Sequence, residues 1–195
     1  MEEIRSFIAI ELPDDLRQSL GQLEARLKSG RQSGVKWVDP NGIHLTLKFL
    51  GNIVTDTIAK VTGAMEEAVQ GIPPFHLEVR DLGVFPNVKR VQVAWVGMGG
   101  EIDKLAKLQQ RIESNLEHLG FTPESRPFTA HLTIARLRND TSLIDRQTFG
   151  QLITGAKFEG GIVNVDSISL MKSQLTREGA IYSRISLVSL NKGSF

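Results

Sequence analysis

The sequence of 195 residues contains no cysteine, and this absence removes several kinds of chemistry. Disulfide bonds, thiolate metal sites and a cysteine nucleophile are all excluded. A chain without cysteine fits the reducing cytosol, so we expect a cytoplasmic protein.

An excess of positive charge is also absent, because the formal net charge is only +1. Proteins that bind nucleic-acid duplexes by neutralising many phosphates are usually more basic, so we expect any nucleic-acid contact to be local. Long apolar runs are missing as well, and the first residues are acidic. We therefore expect neither an export signal nor a membrane-spanning segment. The hydrophobic content of 41% is nevertheless enough for a packed core.

A short phrase occurs twice in the chain. Residues 44–47 read His-Leu-Thr-Leu and residues 131–134 read His-Leu-Thr-Ile, although the chain has only four histidines. Successive side chains of a β-strand point to opposite faces, so the histidine and threonine of each phrase share a face. We predict two strands that place two imidazoles and two hydroxyls around one site, with the aliphatic residues in the core.

The rest of the chain alternates between strand and helix patterns. We predict helices from residue 14 to a stop at Gly30 and at residues 55–69, 102–119 and 140–153, with strands at residues 6–12, 35–38, 43–50, 75–79, 91–95, 131–137, 162–171 and 180–190. We predict a turn at residues 81–86 and a flexible glycine joint at residues 97–100. Each half presents one His-x-Thr strand, and no long linker separates the halves. The prediction is a single α+β domain, residues 1–195, of two similar lobes that face a central cleft.

Two histidines at one site suit general acid–base chemistry, because imidazole titrates near neutral pH. One ring can remove a proton from a nucleophile while the other protonates a leaving oxygen. Threonine hydroxyls on the same faces can donate hydrogen bonds to an anion between the rings. A phosphoryl group, with two or more non-bridging oxygens, matches this arrangement better than a planar carbonyl.

Basic and aromatic residues near the phrases extend the hypothesis. Strict alternation places Lys48 on the same face as His44 and Thr46, whereas Arg136 reaches the site only if its strand ends, twists or bulges. Phe49 or Phe128 offers a stacking face for a base, or belongs to the core.

Other chemistries have less support in the sequence. His76 is expected to face solvent from a strand, and His118 lies near the end of a helix. No carboxylate lies within either phrase, and no metal-ligand spacing, serine elbow or nucleotide-triphosphate loop is present, so we expect no metal or cofactor.

The chain resembles the 2H phosphoesterases, which are named for two His-x-Thr/Ser-x motifs. Within them it is similar to the bacterial and archaeal RNA 2′,3′-cyclic phosphodiesterases, also called 2′-5′ RNA ligase-like proteins. The similar segments are residues 7–13, 37–40, 44–51, 82–86, 126–136 and 173–182. The resemblance implies a bilobal α+β fold and metal-independent hydrolysis of an RNA or nucleoside 2′,3′-cyclic phosphate to a 2′-phosphomonoester.

The resemblance also implies roles for individual residues. His44 would protonate the departing 3′ oxygen, and His131 would accept the proton of the attacking water. The non-bridging oxygens would be held by Thr46 and Thr133. Relatives often carry a basic residue two positions after the first threonine and three after the second, which are Lys48 and Arg136 here; Lys48 departs from relatives that have arginine.

Three alternatives remain open from the sequence. Some relatives join RNA ends through a 2′-5′ linkage, so an ATP-independent reverse ligation is one. A module that binds RNA ends or nucleotides without turnover is another, and a phosphodiesterase for a different cyclic phosphate, such as ADP-ribose 1″,2″-cyclic phosphate, is the third. We expect RNA 3′ ends or nucleotides bearing a 2′,3′-cyclic phosphate as partners, and a monomer that does not bind membranes.

Overall fold

The computed structural model of the protein describes residues 2–28 and 32–190. Within these ranges the helices are α1 (Asp14–Leu27), α2 (Ile58–Ala68), α3 (Ile102–Glu117) and α4 (Leu143–Gly155). The strands are β1 (Glu3–Glu11), β2 (Val35–Trp37), β3 (His44–Val54), β4 (Phe75–Phe85), β5 (Val93–Gly100), β6 (His131–Leu137), β7 (Glu159–Val165), β8 (Ser167–Leu175) and β9 (Ala180–Ser189). Short 3₁₀ turns occupy Pro40–Gly42, Thr55–Thr57 and Val88–Arg90.

The strands form two antiparallel sheets, as the α+β prediction requires. Sheet A has the order β3-β1-β8-β9, and sheet B has the order β2-β6-β5-β4-β7. The two His-x-Thr phrases open β3 and β6, one in each sheet. Residues of β3 and β6 approach within 8 Å between Cα atoms, so the two phrases lie on strands that meet where the sheets come together.

One continuous hydrophobic cluster fills the space between sheets and helices. Leucines recur at helical spacing along α1 and pack into this cluster as the sequence predicts: Leu16, Leu20, Leu23 and Leu27. The apolar face of α3 is buried in the same way. In β1, Ile8 and Ile10 point into the cluster, while Phe7 and Ala9 form a small separate cluster on the opposite face.

The glycine segment at residues 97–100 is not the flexible joint that we predicted, because it lies within β5. A Cβ atom at Gly97 would come 2.9 Å from the backbone oxygen of Arg80, and Gly100 has a φ of +83°. Glycine is therefore needed here for close approach to β4 and for a backbone that side chains rarely adopt. Residues 81–85 of the predicted turn are also part of a strand, since β4 continues past an irregularity beside Asp81 and ends at Phe85.

The predicted strand at residues 162–171 is in fact two strands. β7 pairs with β4 in sheet B and β8 pairs with β1 in sheet A, so the chain changes sheets at Asp166. Alternating apolar residues on both sides of this point hide the change, because no glycine or proline marks it. The predicted helix stop at Gly30 lies outside the described residues.

Candidate active site

Each phrase turns its aliphatic residues into the core and its polar residues away from it. On β3, Leu45 is buried while His44 and Thr46 lie opposite Glu11 and Ala9 of β1. Directly opposed residues of antiparallel strands share a face. His44 and Thr46 therefore lie on the face of sheet A that carries the small cluster around Phe7.

Sheet B repeats this arrangement on β6. Leu132 is buried, while His131 and Thr133 lie opposite Gly97 and Trp95 of β5. The indole of Trp95 covers this face, since a Cβ atom at Gly83 would come 2.2 Å from its ring. The polar residues of the second phrase therefore share a face with the indole ring of Trp95.

A β-bulge follows the threonine in both strands. The pairing of β1 with β3 shifts between Ala9, opposite Thr46, and Ile8, opposite Lys48. The pairing of β5 with β6 shifts in the same way around Ile134. Two residues of a bulged strand then oppose one residue of the partner, so the alternation of faces is reset after the bulge.

Because of the first bulge, Lys48 does not share a face with His44 and Thr46, so the prediction from strict alternation is wrong. Lys48 lies opposite the core residue Ile8, is only 7% exposed and points away from His44. Its Nζ donates to Oε2 of Glu113 on α3 and to the carbonyl oxygen of Thr122, each at 2.7 Å. Strict alternation failed here because the extra residue reverses the face.

The second bulge meets the condition that we set for Arg136. Arg136 lies opposite Val93, which shares a face with Trp95 and hence with Thr133, and its side chain is exposed. The core position after the bulge is taken by Ala135 instead. The arginine therefore extends from the same face of sheet B as the histidine.

The two imidazoles have the same backbone contact. Nδ1 of His44 lies 2.8 Å from the carbonyl oxygen of Gly42, and Nδ1 of His131 lies 2.7 Å from that of Thr129. A carbonyl oxygen can only accept, so each Nδ1 carries a proton and donates. In the neutral ring Nε2 is then the free lone pair, and in the charged ring it is an acidic N–H. Each histidine can therefore act as base or acid at Nε2.

Aromatic rings hold each imidazole in place. Phe7 stacks on His44 with ring centroids 4.5 Å apart, and Tyr182 approaches the same ring edge-on at 5.1 Å. Phe85 makes an edge-on contact of 5.1 Å with His131. These rings fix the orientation of the imidazoles and exclude water from their flanks.

Burial lowers the pKa of His44 below its usual value, because the charged imidazolium loses solvation there. The backbone contact to Gly42 and the carboxylate of Glu11 oppose this by favouring the charged form. Glu11 is held in turn by Arg184, which donates two hydrogen bonds to it at 2.8 and 2.7 Å. That bidentate contact lowers the pKa of Glu11, so the carboxylate beside His44 stays ionised.

The two candidate stacking residues differ in environment. Phe49 is 65% exposed and lies near Phe7, with ring centroids 6.2 Å apart, on the face that carries His44. Phe128 is half-buried and packs against the main core. Exposure of a large aromatic ring beside the histidine favours Phe49 as a surface for a ligand, whereas the packing of Phe128 favours a structural role.

Sequence reasoning missed the aromatic residues that contact the imidazoles, namely Phe7, Phe85 and Tyr182, and it missed Trp95, whose ring contacts Phe85. Their strand patterns were visible, but a pattern does not show which residues from distant strands meet. Within the described parts of the chain, no cluster of three or more His, Asp or Glu side chains could hold a metal ion. None of the helices in residues 2–28 and 32–190 has the length and apolar character to cross a membrane.

Comparison with known proteins places this geometry in context. An RNA 2′,3′-cyclic phosphodiesterase of Methanothermobacter thermautotrophicus is 31% identical over 182 residues, which are 93% of this chain and 96% of that protein. A protein of Aeropyrum pernix with the same description is 34% identical over 168 residues, covering 85% and 93% of the two chains. The similarity thus extends over nearly the whole of each relative.

Solved structures share the fold. The TT0787 protein of Thermus thermophilus superposes with a TM-score of 0.79 at 24% identity, over 96% of this chain and 98% of that one. Escherichia coli LigT, crystallised with 3′-AMP, superposes with a TM-score of 0.78 at 23% identity, over 98% and 100%. Residues 12–177 match the family described as the 2′-5′ RNA ligase superfamily. The two bulged His-x-Thr strands therefore stand in a chain that belongs to the 2′-5′ RNA ligase superfamily, with the 2H phosphoesterase fold.

Proposed function

We propose that this protein is an RNA 2′,3′-cyclic phosphodiesterase that uses His44 and His131 as its acid and base. The observation that carries the proposal is the matched pair of imidazoles, each donating from Nδ1 to a backbone carbonyl and each next to a threonine on the same face. Relatives of at least 30% identity that bear this name support the substrate class.

The reaction needs one proton removed and one proton supplied. Water attacks phosphorus while Nε2 of His131 takes its proton, and the bond between phosphorus and the 3′ oxygen breaks. Nε2 of His44 donates a proton to that oxygen, which leaves a 2′-phosphomonoester and a 3′ hydroxyl. The low pKa of His44 means that the anionic substrate must favour its charged form on binding, since an adjacent negative charge raises the pKa of imidazole.

Three side chains are proposed to hold the phosphoryl oxygens. The hydroxyls of Thr46 and Thr133 share faces with the imidazoles and can donate hydrogen bonds to the non-bridging oxygens. Arg136 supplies positive charge and a planar donor pair that suits phosphate. Lys48 has no part in this proposal because its ammonium group is bound to Glu113.

The test is incubation of the purified protein with each nucleoside 2′,3′-cyclic phosphate, with and without EDTA. We expect nucleoside 2′-phosphate as the product and the same rate in EDTA, because the proposed steps use side chains alone. Formation of 3′-phosphate, or loss of activity in EDTA, would contradict the mechanism. Tight binding without any product would favour a module that only binds RNA ends.

A 2′-5′ ligation follows from the same geometry when a 5′ hydroxyl takes the place of water. Nε2 of His131 then takes the proton of that hydroxyl, the bond between phosphorus and the 3′ oxygen breaks, and Nε2 of His44 protonates the 3′ oxygen. An RNA with a 2′,3′-cyclic phosphate and a second RNA with a free 5′ hydroxyl would then give a 2′-5′ linkage without ATP. The assay is gel analysis of the two RNAs with the protein. A parallel reaction with ADP-ribose 1″,2″-cyclic phosphate tests the remaining alternative substrate.

A further inference from the structure

Two basic residues face each other on neighbouring strands at one end of the active-site face. Lys36 on the edge strand β2 lies directly opposite Arg136 on β6. Their neighbours in the pairing, Leu137 and Ala135, are buried, while Lys36 and Arg136 are exposed. Lys36 therefore shares the face that carries Arg136, Thr133 and the imidazole of the second phrase.

This arrangement is unfavourable for the protein alone. Like charges directly opposite each other in a sheet destabilise it. Neither Lys36 nor Arg136 forms an ion pair with any carboxylate in the described residues, whereas Arg184, beside His44, is paired with Glu11. Two directly opposed cations without a carboxylate partner on the face of the proposed site favour a ligand that supplies more than one negative charge.

The proposed reaction uses only one of these charges. A 2′,3′-cyclic phosphodiester carries a single negative charge, and Arg136 alone can balance it. The Cα atoms of directly opposed residues are about 4.5–5.5 Å apart, so Lys36 lies next to Arg136, on the strand that neighbours the one carrying His131. A second phosphate attached to the same substrate would supply the anion for Lys36.

We propose that Lys36 forms, beside Arg136, a subsite for the phosphate on the 5′ side of the terminal nucleotide. This inference rests on the proposed function and narrows its substrate class. The preferred substrate is then a chain end with at least two phosphates, in place of a nucleoside cyclic phosphate that has only one. The second phosphate comes either from an internucleotide linkage or from a free 5′-phosphate.

Three substrates of the same terminal base separate these sources. The first is the nucleoside 2′,3′-cyclic phosphate, the second is the same compound with a 5′-phosphate, and the third is a dinucleotide that ends in the cyclic phosphate. Lys36→Gln should lower kcat/KM for the two-phosphate substrates about fivefold more than for the first substrate, which is the usual scale for an exposed charge pair. A selective loss on the dinucleotide assigns the site to RNA chains, and a loss on the 5′-phosphate compound too assigns it to either source.

Salt dependence gives a second readout. Each phosphate contact with single-stranded nucleic acid contributes about −0.7 to the slope of log affinity against log salt concentration. The slope for the dinucleotide should therefore become shallower by about 0.7 in Lys36→Gln, and Lys36→Arg should restore it. Lys60→Gln is the matched control, because Lys60 is exposed on α2 and its removal changes the net charge equally.

Outcomes that overturn the inference differ from those that overturn the function. An equal effect of Lys36→Gln on all three substrates, or the same effect from Lys60→Gln, would remove the subsite while leaving the phosphodiesterase intact. Absence of turnover by the wild-type protein would remove the proposed activity. In that case calorimetric binding of the dinucleotide 2′-phosphate to the wild type and to Lys36→Gln still decides whether the subsite exists. Thermal unfolding should show no loss of stability in Lys36→Gln, since its removal relieves repulsion with Arg136.

Discussion

Strands β3 and β6 are alike in backbone and different in what they present. Each begins with His-Leu-Thr, bulges at the next residue and holds its imidazole through the carbonyl two residues earlier. After the bulge, β3 places Lys48 inward and Phe49 outward, whereas β6 places Ala135 inward and Arg136 outward. The same kind of β-bulge therefore exposes an aromatic ring, Phe49, in sheet A and a cation, Arg136, in sheet B.

The largest effect should come from the residues that the strands share. Substitution of alanine at His44 or at His131 should each reduce kcat/KM for a 2′,3′-cyclic nucleotide by about 10²–10⁴-fold, because each removes a proton-transfer group. Initial rates of 2′-phosphate formation provide the measurement, with His76→Ala as the control. Retention of activity by either variant would show that the histidine of that strand is not needed for proton transfer.

Lys48 is buried and Arg136 is exposed, so we expect substitution of Arg136 to affect activity and substitution of Lys48 to affect stability. Arg136→Gln should lower kcat/KM about 10–100-fold, the scale of a lost hydrogen bond to a charged group, without lowering the melting temperature. The measurement is steady-state kinetics on the nucleoside substrate together with thermal unfolding. A comparable loss of kcat/KM in Lys48→Met would show that Lys48 serves the reaction after all.

Lys48→Met should instead weaken the fold. It removes the ammonium donor of Glu113 and of the carbonyl oxygen of Thr122, although Glu113 still accepts from Gln109 and from the backbone N–H of Glu124. The loss should cost about 1–3 kcal/mol of unfolding free energy, less than that of a fully buried ion pair because Glu113 is partly exposed. Urea denaturation measures this loss, and kcat/KM should change less than about threefold. An unchanged denaturation midpoint would contradict the structural role.

The exposed aromatic residue should affect binding. Phe49→Leu should raise KM for cyclic nucleotides about tenfold, within the range measured for loss of a base–aromatic stack, with little change in kcat. Phe128→Leu is the comparison, since it should lower the melting temperature and leave KM unchanged. A larger KM effect from Phe128 than from Phe49 would reverse the assignment of the two rings.

The smallest effect should be a shift in pH dependence. Donation by His44 requires its charged form, so kcat/KM should fall as pH rises through the lowered pKa of His44, below the ordinary value of about 6.5. Bound phosphate favours the charged form, so the same fall in kcat should occur at higher pH. Glu11 raises the pKa of His44, and Glu11→Gln should therefore move the fall in kcat/KM to lower pH, by less than about one unit. Glu117→Gln, at the end of α3, should leave the profile unchanged.

Much of this architecture was predictable from the sequence because local patterns determine it. The leucine spacing of α1 and the bounds of β6 at residues 131–137 agree with prediction, and the phrases lie on strands of two sheets that meet. The change of sheet at Asp166 was not predictable, since a strand pattern shows alternation and not the identity of the pairing partner.

The predicted face of Lys48 was wrong for a related reason. The amino-acid sequence of residues 44–49 does not distinguish a regular strand from a bulged one, because the bulge arises from the pairing of β3 with β1. For the same reason, strict alternation placed Arg136 on the face opposite to His131. Only the register of the neighbouring strand shows which residue is extra, so a face predicted by parity is reliable up to the bulge and reversed after it.

The bulge also determines how this protein can change. The residue four positions after each phrase's histidine is fixed by the core, which accepts alanine or a lysine paired with a partly exposed carboxylate. The residue after it stands free of core packing, so its replacement should alter what the proposed site recognises without a cost in folding. If the proposed roles hold, substitutions at residues 49 and 136 should change the ligand preference separately, while His44 and His131 keep their geometry.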